Sequence, residues 1–266
     1  MKKVSKRRDL MNIMVLLLFI EGLLAQPTVQ EVIQKFESQP KPKDIVSTIT
    51  MTLTKSVRGK EKSRICTIKR FQKFYRSGDF YSKTLIRFLE PSDVKGVGLL
   101  ILEYHDGEKG SDQWLYLPAL KKSKRIVSNQ KNQNFMGSDF SYEDMKGLEI
   151  SENSYKLLGE EKVIGQLCYK IETVPFRTVN YSRQIVWVDK DRSLMRKVEF
   201  YGNKNRLLKV MTVPEIRKDG DYWTVLRMEM KNIQKPHRTT LEILDIVYDS
   251  GIEENFFSED YLKRIR

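Results

Sequence analysis

The stretch Asp112–Asp144, DQWLYLPALKKSKRIVSNQKNQNFMGSDFSYED, decides how this chain is read. Trp114 and Tyr116 lie two apart, so on a β-strand both rings leave one face while Gln113 and Leu115 take the other. Pro118 ends that strand. Lys121, Lys122, Lys124 and Arg125 follow as a basic run into the β-prone Arg125-Ile126-Val127. A polar loop, Ser128 to Asn134, then leads to Phe135-Met136-Gly137-Ser138-Asp139-Phe140, where aromatic side chains stand beside a glycine that permits positive φ.

Outward from this stretch, period-two patterning governs nearly the whole chain. Thr48 to Thr54 alternates cleanly, with Ile49, Met51 and Leu53 on one face and threonines on the other. Further strands are expected over residues 64–75, 81–88, 98–104, 113–117, 124–127, 155–161, 166–173, 183–188, 194–201, 207–216, 223–233 and 239–248. The joints carry turn chemistry, among them Ser77-Gly78-Asp79, Asp106-Gly107 and Asp219-Gly220. Short connections make sequential strands antiparallel neighbours. Helices are few. Thr28 is placed to cap one whose apolar stripe is Val29, Val32, Ile33 and Phe36, and short helices are expected at Ser141 to Met145 and Phe256 to Ile265.

The chain has 266 residues and a net charge of +13. Residues 1–25 read as an export signal: Lys2, Lys3, Lys6, Arg7 and Arg8 precede the apolar run Leu10 to Ile20, and Ala25 supplies the cleavage site. That run is shorter than the ~20 residues of a spanning helix, so cleavage before Gln26 is expected. The first cysteine is Cys66, so lipidation at the cleavage site is not expected. Residues 26–266 read as a single domain, with no linker-like stretch or internal repeat. An oxidising compartment permits a Cys66–Cys168 disulfide, and small buried thiols fit the same strand positions. The basic balance fits an anionic membrane surface or an acidic partner. Nucleic acid is not expected, since nothing resembles a recognition helix or an aromatic RNA-binding strand.

The residues Trp114, Tyr116, Leu117, Pro118, Ala119 and Leu120, the basic pair Lys124 and Arg125, and then Phe135 to Phe140 with Tyr142, Glu143 and Asp144 carry a resemblance. The segment resembles the LolA-like outer-membrane lipoprotein-sorting proteins. That resemblance implies a mainly β protein with few helices: a half-open antiparallel β-barrel, in effect one strongly curved sheet, capped by short helices. It implies a periplasmic carrier that shields acyl chains of lipoproteins or lipids in an apolar cavity and moves them toward the outer membrane, with an inner-membrane transporter as donor. The inward positions Ile49, Met51, Leu53, Ile86, Phe88, Leu99, Ile101, Met228, Met230, Leu241 and Ile243, together with Trp114 and Tyr116, are then expected to line the cavity. Methionine suits such a place because its unbranched thioether repacks around variable cargo. Phe135, Met136, Gly137 and Phe140 are expected to form a lid over the mouth. Lys121, Lys122, Lys124 and Arg125 are expected to dock on a membrane or partner.

The residues offer little to catalysis, so neither a catalytic site, a metal nor a cofactor is expected. His105 and His237 are far apart, each beside a turn residue, and read as surface groups. No G-x-S-x-G elbow or Gly-rich phosphate loop occurs. The competing readings are a secreted lipid hydrolase and a structural envelope protein with a filled core.

Overall fold

The computed structural model describes residues 26–107, 109–146, 153–176 and 181–264. The expected export signal, residues 1–25, lies outside them. Helix α1 (Val29–Glu37) starts at Thr28 with a reciprocal capping box, in which the Thr28 hydroxyl accepts from the Glu31 amide and the Glu31 carboxylate accepts from the Thr28 amide at 2.7 Å.

Thirteen strands follow: β1 (Asp44–Val57), β2 (Lys60–Phe74), β3 (Phe80–Glu90), β4 (Gly98–Tyr104), β5 (Ser111–Leu117), β6 (Lys122–Arg125), β7 (Asn153–Val163), β8 (Gln166–Pro175), β9 (Arg183–Asp189), β10 (Met195–Gly202), β11 (Arg206–Asp219), β12 (Tyr222–Asn232) and β13 (His237–Tyr248). They form one antiparallel sheet in the order β6-β5-β4-β3-β2-β1-β13-β12-β11-β10-β9-β8-β7. The chain therefore starts at the centre, meanders to one edge, leaves it at residue 126 along a crossover described to residue 146, resumes at the opposite edge with β7, and meanders back to pair β13 with β1. Edges β6 and β7 do not pair with each other, so the barrel stays open.

The sheet must curl. Ile86 of β3 and Pro175 of β8 line the same cavity although eight strand steps separate them, a distance of about 38 Å in a flat sheet. The inner face carries an apolar row interrupted only by Thr239, with Leu53, Thr239, Met230, Met211, Val198, Val186, Ile171 and Leu157 opposite one another from β1 and β13 through to β7. Helix α1 covers the β7–β9 end of this face through Val32 and Phe36.

The outer face of β3–β5 is covered by the C-terminal segment, a 3₁₀ turn (Glu254–Phe257) and helix α2 (Glu259–Lys263) capped by Ser258. Asp44 pins this segment: burial opposes its charge, but hydrogen bonds from Ser250, Gly251 and Ile252 hold its carboxyl below the usual range. Arg87 closes the far end, donating to the carbonyls of Gly96, Leu262 and Tyr261. Gly98 permits this approach, because a Cβ there would meet Leu262 at 2.7 Å. Cys66 and Cys168 are free and buried, in clusters on opposite faces of the sheet.

Candidate functional site

The inner face encloses a cavity of about 330 Å³, large enough for a small ligand or part of an acyl chain. Met51, Met145, Met195, Met211, Met228 and Met230 line it, with Ile49, Ile68, Ile86, Phe140, Phe200 and Leu241. Six of the seven methionines among the described residues thus converge on one space. Register explains the convergence: Met51 opposes Leu241, Leu241 opposes Met228, and Met230 opposes Met211.

The expected cavity residues separate into three groups. Ile49, Met51, Ile86, Met228, Met230 and Leu241 line the cavity. Leu53, Phe88, Leu99 and Ile101 share the inner face but belong to a filled cluster that also contains Phe135 and Tyr142, and Ile243 packs against it half-buried. Trp114 and Tyr116 require correction, because they lie on the outer face with Leu100 and Leu262 under α2. Two-residue spacing puts both rings on one side but cannot say which side. Leu115 and Gln113 take the inner one, where the Gln113 side chain donates to the Tyr142 carbonyl at 3.1 Å.

The crossover runs across the inner face rather than over solvent. Phe135 is 1% exposed, with its ring centroid 5.7 Å from Phe88 and 5.6 Å from Tyr142. Met136 is half-buried against the same cluster, Gly137 adopts φ 76° at an exposed turn, and Phe140 reaches the cavity. Ser138 shapes the turn, its hydroxyl accepting from the Phe140 amide.

Polar anchors hold this segment down. The Asp139 carboxylate accepts from the Thr239 hydroxyl at 2.8 Å and meets His237 Nδ1 at 2.6 Å. The Lys209 ammonium donates to the Asp139 carbonyl and to the Asp144 carboxylate. Asp144 also accepts from Tyr181 at 2.8 Å and from the Ser141 amide and hydroxyl. Burial, reinforced by the Asp144 charge, pushes the Tyr181 phenol up. His237 is consequently a partly buried anchor rather than a surface group. Sequence reasoning missed this set, although Lys209 sits two residues before Met211 on an alternating strand and so had to point inward.

Polarity changes along the strand axis on the β2–β5 half of the inner face. Leu115, Leu99 and Ile86 stand level with Arg70; one step further Gln113, Thr84 and Gln72 share a row with Ile101, and then Ser111, Glu103 and Ser82 share one with Phe74. These polar side chains are buried, and burial pushes the Glu103 carboxyl up although Ser82 donates to it at 2.6 Å. Arg70, Glu143 and Lys146 bring this polar end to the cavity wall, with Lys146 paired to Glu143 at 2.9 Å.

The basic run lies apart from the cavity, on the edge strand β6 and the turn before it. Lys121, Lys122, Lys124 and Arg125 are all exposed, and Arg125 also pairs with Asp112 at 2.5 Å. Charge on an edge strand also discourages strand-to-strand aggregation, which gives these lysines a second use. Among the described residues no group of three or more His, Cys, Asp or Glu side chains is placed to hold a metal ion, and no helix is long and apolar enough to cross a membrane.

A half-open antiparallel barrel with an apolar cavity, α1 over one end and a crossover across its inner face defines the LolA-like class. The chain belongs to the LolA-like outer-membrane lipoprotein-sorting protein family. It is 35% identical to a domain named as an outer membrane lipoprotein-sorting protein from Vibrio parahaemolyticus, covering 88% of this chain and 97% of that one with a TM-score of 0.81. A DUF1329 family protein from Desulfovibrio piger is 30% identical over 87% of this chain and 96% of its own, also with a TM-score of 0.81. A LolA superfamily protein from Nitrosomonas europaea shares the fold, with a TM-score of 0.67 at 18% identity over 89% of this chain and 100% of that one. A family model described as "Uncharacterized protein" matches residues 81–264. No curated protein sequence matches the chain.

Proposed function

We propose that this protein is a periplasmic carrier that holds acyl chains of lipoproteins or lipids in the inner-face cavity and moves them toward the outer membrane. The observation that carries this reading is the convergence of six methionines on one apolar space in a sheet that curls without closing. Each methylene moved there from water contributes about 0.8 kcal/mol, so even part of an acyl chain binds usefully. The export expectation from residues 1–25 and the lipoprotein-sorting relative from Vibrio parahaemolyticus support a periplasmic setting, and an inner-membrane transporter is the donor that the LolA resemblance implies. The lid role falls to Phe140, which reaches the cavity, while Phe135 anchors the crossover in the neighbouring core. A lipid hydrolase is the weaker reading. His237 and Asp139 resemble the orienting half of a triad, but Asp139 is engaged by Thr239 in the crossover anchor, and among the described residues no hydroxyl bonds the second ring nitrogen of His237.

Displacement of a fluorescent hydrophobic probe tests the carrier reading. Met228→Arg introduces an unpaired charge at a half-buried cavity position and is expected to weaken probe binding at least about ten-fold, the equivalent of ~1.4 kcal/mol. Leu244→Arg, at a position 64% exposed, is the control and should bind normally. A folded Met228→Arg protein with wild-type probe affinity would remove the cavity from the function.

For docking, reversal of Lys121, Lys122 and Lys124 to glutamate is expected to weaken association with phosphatidylglycerol vesicles while leaving probe binding intact. The effect should fade with added salt, since the screening length falls from about 10 Å at 0.1 M to about 3 Å at 1 M. Unchanged vesicle association at low salt would take the basic run out of the docking model.

A further inference from the structure

We propose that Arg70 forms an oxyanion site at the boundary between the apolar and polar ends of the cavity, receiving the phosphate or carboxylate headgroup of a ligand whose acyl chain lies among the methionines. The proposal rests on the acyl-carrier reading and adds a ligand class to it. Arg70 projects from β2 level with Ser47 and Ile86 and lines the same cavity as Met51 and Met228. It is half-buried and lines the cavity wall.

A guanidinium carries five N–H donors and stays charged in proteins. Here its one hydrogen bond goes to the neutral side chain of Gln72, and among the described residues no carboxylate lies within 4.0 Å of it. Of the nearby carboxylates, Glu103 accepts from Ser82 and favours the Arg70 charge only from beyond ion-pair distance, and Glu143 is paired with Lys146. Burial pulls the Arg70 guanidinium below its ordinary value, the sign of a cation whose lost hydration is not fully replaced. A carboxylate or phosphate entering the cavity would restore it by accepting from two guanidinium N–H donors at once, the geometry at which arginine excels. The polarity change on the inner face gives the ligand its orientation: chain toward Met51 and Met228, head toward Arg70.

The test compares ligands with one oleoyl or oleate chain and different heads: oleate, oleoyl lysophosphatidic acid and neutral monoolein, with inorganic phosphate as a chainless arm. Each competes with the hydrophobic probe on wild-type protein, Arg70→Met and Arg70→Lys. Wild type is expected to prefer the two anionic lipids over monoolein by about ten-fold or more, the range of a hydrogen bond to a charged group. Arg70→Met should lose that preference while retaining monoolein, and Arg70→Lys should keep part of it. Phosphate alone should compete far more weakly than either anionic lipid, and equal competition would assign the site to free anions and overturn the headgroup proposal. Monoolein binding without any anionic preference in wild type, or an undiminished preference in Arg70→Met, overturns the oxyanion site and leaves the carrier reading standing. Failure of all three lipids to bind wild type overturns both. The wild-type comparison decides the matter even where a variant does not fold.

Discussion

Phe135→Ala is expected to destabilise the protein by about 3–5 kcal/mol, the usual cost of emptying a buried phenylalanine site. The ring is 1% exposed and packs between Phe88 of β3 and Tyr142 of the crossover itself, so its removal leaves a cavity bounded by a rigid sheet that cannot collapse around it. Urea unfolding followed by tryptophan fluorescence measures the change. The same variant distinguishes core from cover, because a residue acting only as a lid would speed probe release and leave the unfolding midpoint in place. A loss below about 1 kcal/mol would show that the crossover is not part of the core, since single deletions of that size are typical of peripheral sites.

Asp144→Ala is expected to cost a similar ~3–5 kcal/mol, for an electrostatic reason: it strips the carboxylate from a buried ammonium. The side chains of Lys209 and Asp144 are 9% and 7% exposed, and Tyr181 and Ser141 also donate to the lost carboxylate. Adding Lys209→Met should recover much of the loss, since a methionine at that position removes the stranded charge. A double-mutant cycle on Asp144 and Lys209 measures the coupling, and additive effects of the two changes would dismiss the pair as an anchor. Hydrogen exchange across residues 135–146 supplies a local readout, with faster exchange expected in Asp144→Ala.

These results bear on how the cavity is kept open. An open sheet with this much inward apolar surface tends to fill itself, and here Phe135 does so against Phe88, Leu99 and Ile101, while space remains between Met51, Ile86, Met211, Met228 and Met230. The anchors from Asp139 and Asp144 to Thr239, His237 and Lys209 set where the crossover lies, and so where filling stops. Methionine on the open side keeps that wall adaptable.

Much of this was legible in the chain. Strict alternation in Thr48 to Thr54, and turn residues at short intervals thereafter, determine antiparallel strands and their hairpin order, because a period of two and a two-residue turn leave a strand few other arrangements. The capping residue Thr28 likewise marks where α1 begins, whereas the helix expected over Phe256 to Ile265 splits into a 3₁₀ turn and the shorter α2 capped by Ser258. The Trp114 to Asp144 motif points to the LolA-like class. Alternation by itself divides a strand into two faces without saying which is inner, and that is why Trp114 and Tyr116 were expected in the cavity yet pack under α2. Only tertiary structure decides it, since the choice depends on which face the crossover and which the C-terminal segment comes to cover. The same holds for Arg70, Lys209 and Asp144, whose roles arise from register and from contacts across sequence separations such as the 65 residues between Asp144 and Lys209, which no local pattern encodes.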